Sequence, residues 1–139
     1  MPRTRVETRA RARVLQALYA WDLRADEQLE RVASQIWDDL AVAADERRLA
    51  GPLVRELVQH RAELDAELAE VTTNWRLERL SVIDRCVLRL AAAELSRGET
   101  PPRVVIQEAV RLAERYGTVK SAKFVNGVLD ALARRMGRI

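Results

Sequence analysis

The chain has 139 residues, of which 48% are apolar, 4% aromatic and 32% charged, a balance that favours one all-α domain of helices packed on helices. A net charge of +3 excludes little, but residues 1–13 and residues 120–139 each carry +4 around a middle of −5, which suggests one polyanionic and one basic partner. The single cysteine, Cys86, excludes an internal disulfide and fits a reducing cytoplasm, and no apolar run approaches the roughly 18–20 residues of a membrane span.

The first predicted helix runs from about Thr4 to Leu23, with Val6, Ala10, Val14, Ala17, Leu18 and Trp21 on its core face. Arg5, Arg9 and Arg13 recur every fourth residue. At about 100° per residue they share one stripe, which Gln16 extends and Arg3 precedes. Planar guanidinium groups in a row, facing solvent, suit a phosphate backbone or a stacked base. A second helix, about Asp26 to Leu40, spaces Leu29, Val32, Ile36 and Leu40 by three or four. A third follows Asp45, kinks near Gly51-Pro52 and ends near His60; a fourth carries Leu64, Leu68 and Val71 to the Thr72-Thr73-Asn74 cluster. Ser81, with Asp84 three residues on, caps a fifth helix through Ile83, Val87, Leu88 and Leu95 that stops at Gly98. Thr100 and the following prolines open a sixth, ended by Gly117. The seventh begins between Thr118 and Ser121, reaches about Arg135, and turns Val125, Val128, Leu129 and Leu132 inward.

Near the start of that last helix lie Lys120 and Lys123, the chain's two lysines, with Phe124 at the rim of the apolar stripe. Such a group could stack on an unpaired base while its ammonium groups meet phosphates; the competing reading buries Phe124 in the core. Gly127, mid-helix, suggests close approach of another helix or of a ligand backbone. Catalytic and cofactor chemistry finds no support. His60 is the sole histidine, so a paired-histidine metal site is excluded, Cys86 sits in an apolar run, and no phosphate-cradling glycine loop is present. No cofactor and no enzymatic role are expected.

Several strings occur in a fixed order: Arg9-Ala-Arg-Ala-Arg13 into Leu15-Gln-Ala-Leu-Tyr19-Ala-Trp21, Asp84-Arg-Cys-Val-Leu-Arg89, Ala93-Glu-Leu95, Val104-Val-Ile-Gln-Glu-Ala-Val110, and Lys123-Phe-Val-Asn-Gly-Val-Leu-Asp130. Together they resemble the NusB transcription antitermination family over roughly residues 5–133. The resemblance implies a seven-helix fold of two small bundles. It also implies binding to boxA-type single-stranded RNA jointly with NusE, a ribosomal protein, with RNA polymerase an indirect partner. By position, the RNA surface would comprise Arg3, Arg5, Arg9, Arg13, Gln16 and Tyr19, completed by Lys120, Lys123 and Phe124. Glu78, Asp84 and Arg85 would face NusE. Gln107 departs from the family's usual asparagine and is expected to alter a contact between helices. The main competing expectation is a self-associating helical scaffold; monomer and homodimer are both compatible with the sequence.

Overall fold

A computed structural model describes residues 2–24, 27–72 and 74–139, with side chains from Val6 onward. Six α-helices and one 3-10 turn are present among the described residues: α1 (Pro2–Asp22), α2 (Leu29–Asp39), α3 (Ala44–Val71), the 3-10 turn Leu77–Arg79, α4 (Val82–Arg97), α5 (Pro102–Tyr116) and α6 (Ser121–Arg135). The all-α expectation holds. The count is six helices instead of seven because α3 joins the predicted third and fourth. Its one non-helical residue is His60, at φ −126° and ψ 18°, and not the Gly51-Pro52 pair. Proline removes a donor to the carbonyl four residues back. Here that residue is Arg48, which is exposed, so water can replace the lost donor.

Two compact units divide the chain, Met1–Gln59 and His60–Ile139. In the first, α1 packs on α2. Ala10, Val14, Ala17 and Leu18 of α1, Leu29, Val32 and Trp37 of α2, and Leu53 and Leu57 of α3 are among the buried apolar residues of this unit's core. Trp37 is tied to α1 by its indole N–H, which donates to the Arg13 carbonyl at 3.0 Å. The expected start of α2 at Asp26 lies outside the described residues. Glu27 and Gln28 are not helical, and the helix begins at Leu29. Leu40, expected inward, is the exposed C-cap.

In the second unit α4 packs on both α5 and α6, which also pack on each other. Nine residues of α4 are buried, Cys86 and Glu94 among them. The ends of α4 follow from local chemistry: Ser81 Oγ accepts from the Asp84 N–H at 3.1 Å, and Gly98 closes the helix in the left-handed region at φ 68°. The start of α5 differs from expectation. Thr100 makes no cap; Pro101 is the N-cap and Pro102 the first helical residue, where a missing N–H costs nothing. Gly117 ends α5 for a steric reason, since its φ is −98° and a Cβ there would lie 2.6 Å from Ser121 Oγ and 2.8 Å from the Ala113 carbonyl. Gln107 is exposed and makes no hydrogen bond among the described residues.

Candidate nucleic-acid interface

The arginine stripe of α1 is not a comb in solvent. Glu46, in the first turn of α3, sends its carboxylate beneath it. Oε2 accepts from Arg9 Nε at 2.9 Å, and Oε1 accepts from Arg13 Nε at 2.8 Å. The Glu46 side chain is 7% exposed, against 49% for Arg9 and 26% for Arg13. The Arg13 hydrogen bond holds the Glu46 carboxyl below its ordinary value of 4.5; burial pulls the other way, and Arg9 adds to the lowering. Gln16 is also engaged, its side-chain oxygen accepting from Arg13 Nη1 at 3.2 Å. Arg11, counted in the basic run, is buried. Tyr19 is exposed at 41%. The side chains of Arg3 and Arg5 lie outside the described residues.

The second basic segment has the opposite character. Lys120, the residue before α6, and Lys123 in its first turn are exposed, and neither forms an ion pair among the described residues. Phe124 is half-buried, between the two expectations for it. On a helix, residues 120, 124 and 127 fall within about 60° of one another, with 123 just beside them. Gly127 is therefore part of this face and not a helix-packing site: a Cβ there would meet nothing within 4 Å. Lys120, Lys123 and Phe124 thus border a patch of bare backbone, next to exposed Asn126.

The remaining positive charge near the C-terminus is committed elsewhere. Arg134 Nε donates to Asp130 Oδ2 at 3.0 Å, Arg135 Nε to Glu67 Oε2 at 2.6 Å, and Arg138 Nε to the Leu95 carbonyl at 2.8 Å. Of the cations that make residues 120–139 basic, the two lysines are the ones with no ion-pair or hydrogen-bond partner among the described residues.

The expected partner-facing residues also separate. Glu78 is exposed in the 3-10 turn. Asp84 is half-buried, and its Oδ1 is buried with no hydrogen-bond partner among the described residues. Arg85 points inward: its Nη1 donates to the carbonyls of Leu80 at 3.0 Å and of Leu77 and Glu78 at 3.4 Å. That geometry makes Arg85 a clamp on the turn. It borders an open groove of about 1360 Å³ with Asp65, Trp75 and Arg89, and Arg89 forks onto Asp65 with both distances 3.0 Å. No group of three His, Cys, Asp or Glu residues suited to a metal occurs among the described residues. No helix among them is long and apolar enough to cross a membrane.

Sequence reasoning missed Glu46, and at Gly127 it left helix packing and a ligand's approach as alternatives. Glu46 stands 33 and 37 residues from its partners, and no local pattern marks it. The periodicity of α6 did carry the second signal, since Gly127 shares the face of Lys120 rather than that of Val125 and Leu129.

The pattern of the NusB family matches residues 8–134. A transcription antitermination protein NusB of Anaeromyxobacter dehalogenans is 47% identical over 127 residues, covering 91% of this chain and 89% of that protein. The solved structure of T. maritima NusB superposes with a TM-score of 0.84 at 37% identity, covering 92% of this chain and 90% of that one. A crystal structure of antitermination factors NusB and NusE in complex with dsRNA gives a TM-score of 0.82 at 31% identity, covering 97% of this chain and 99% of that one. With its sequence matched over nearly its whole length and its fold shared with solved members, this chain belongs to the NusB family of transcription antitermination proteins.

Proposed function

We propose that residues 1–139 act as one RNA-binding module, without catalysis of its own, that binds boxA-type single-stranded RNA together with NusE in the cytoplasm and promotes read-through by RNA polymerase in ribosomal RNA operons. The observation that carries this reading is the start of α6, where two exposed lysines without acidic partners flank a half-buried phenylalanine above the open backbone of Gly127. Ammonium groups there meet phosphates, the ring offers a face to an unpaired base, and the absent side chain lets a strand come close. Arg9, half exposed, and Tyr19 offer further contacts on α1. Family membership supports the reading, as does the relative crystallised with NusE and dsRNA. Glu78 and Asp84, acidic and outside the basic segments, are the residues proposed to meet a basic ribosomal protein.

The test is a titration of boxA-like and scrambled oligonucleotides, with and without NusE. Four phosphate contacts predict a slope of log K against log salt on the order of −3, from about −0.7 per phosphate on a single strand. Coupling of about 1–3 kcal/mol would make NusE tighten RNA binding roughly 5- to 150-fold. Equal affinity for matched and scrambled RNA, with and without NusE, would sink the proposal.

A further inference from the structure

The Glu46 carboxylate takes one guanidinium on each oxygen, and both through Nε. That choice of nitrogen matters. Arg9 keeps both terminal nitrogens without a partner among the described residues, and Arg13 keeps Nη2, its Nη1 being on Gln16. Two cations a helical turn apart are thus pinned at their inner edge and open at their outer edge. The anchor is a nearly buried side chain on a different helix, so it does not swing away with the arginines.

Two consequences follow from elementary electrostatics. A fixed negative charge against two positive ones removes about half of this pair's sequence-blind attraction to any polyanion, which scales with the phosphates it neutralises. A guanidinium held at Nε has also lost most of its freedom to follow a phosphate, so a strand must bring its phosphates to where the arginines stand. We infer that Glu46 is a specificity-determining residue: it restrains indiscriminate polyanion binding by α1 and presets Arg9 and Arg13 for a strand of matching geometry. The preference for matched RNA rests on the function proposed above; the restraint on polyanions does not.

The experiment compares the full chain with its Glu46→Gln and Glu46→Asp variants. Glutamine keeps the size and one acceptor oxygen, so one arginine stays held while the other is released. Aspartate keeps the charge and shortens the reach. Both are checked for folding by thermal melting, and the arginine Nε–H signals in NMR report whether the pair remains held. On heparin, Glu46→Gln should elute at higher salt than the parent chain, with Glu46→Asp nearer the parent. Against scrambled RNA, its salt slope should steepen by about 0.7, equal to about fivefold more tightening for each tenfold fall in salt. The ratio of matched to scrambled affinity should fall by a similar factor. Unchanged heparin elution and unchanged slope in a folded Glu46→Gln chain overturn the inference, as does equal weakening toward both RNAs. If the parent chain itself fails to prefer matched RNA, the proposed function falls, and the heparin comparison still decides whether Glu46 restrains polyanion binding.

Discussion

On α1, Arg9 and Arg13 share one nearly buried carboxylate; at the start of α6, Lys120 and Lys123 stand in solvent with no acid beside them. By sequence the first segment is the more basic and the more suggestive. By structure its charges are part of how the first unit is held together, whereas the lysines carry no comparable internal duty. Residue counts therefore overstate the charge that α1 offers a ligand. The same counts understate α6, where two ammonium groups, a ring and a bare stretch of backbone coincide. Arginine's fork suits it to serve inward and outward at once, while lysine's single ammonium on a mobile stem does not.

The largest effect that would test this contrast is on stability. Arg9→Ala with Arg13→Ala leaves the Glu46 carboxylate without its partners, and breaking a buried pair costs about 3–5 kcal/mol. The partial exposure of both arginines puts this case at or below the lower end, about 3 kcal/mol. Lys120→Ala with Lys123→Ala should shift stability by no more than about 0.5 kcal/mol and make the RNA salt slope shallower by about 1.4. Chemical denaturation of both double variants, beside RNA titrations, checks the pair. Similar stability losses in the two would erase the distinction drawn here.

Phe124→Ala comes next. A ring that stacks on a base contributes about 1–3 kcal/mol to binding, and this loss should exceed the loss in stability because the ring is half-buried. A stability loss of about 3–5 kcal/mol, typical of a core phenylalanine, would return it to the interior.

Gly127→Ala sharpens the comparison with opposite signs. A methyl group there meets nothing within 4 Å, so replacing a mid-helix glycine should stabilise the fold by up to about 1 kcal/mol. RNA affinity should fall at the same time if a strand passes over that backbone. A more stable variant with undiminished RNA binding would remove the close approach from the reading.

The smallest effect concerns acid. Glu46 is held below 4.5 in the folded state, chiefly by the Arg13 hydrogen bond, so its contribution is fully present above that value and is lost as pH falls through the folded pKa. The parent chain should therefore lose stability more steeply below about pH 4.5 than Glu46→Gln does, and melting curves across that range would show it.

What could be read from the sequence follows the range of the interactions involved. The span from Ser81 to Gly98 was legible at both ends because its cap and its left-handed stop are chosen by residues in contact along the chain. The basic segments and the inward faces of α1 and α6 were legible from periodicity. Pro101 rather than Thr100 as the N-cap of α5, and the unbroken helix through Gly51-Pro52, reflect competition between local signals that periodicity does not rank, whereas the break at His60 falls where the third predicted helix ends. The inward turn of Arg85 depends on the path of the Leu77–Arg79 turn, and the Glu46 clamp on the packing of two helices. Neither leaves a mark in neighbouring residues.

Arg138 closes the end of α4 by donating to the carbonyls of Leu95 and Ser96, residues made 43 and 42 positions earlier. At about 5–20 residues per second of synthesis, roughly 2–9 seconds separate the birth of that helix end from the birth of its stopper. During that interval water must occupy both carbonyls, and the apolar row of α4 waits for α5 and α6 as well. The nascent chain thus carries an unfinished helix for a time long compared with helix formation itself. The last turn of α4 is accordingly open, for those seconds, to a chaperone bound to the emerging second unit.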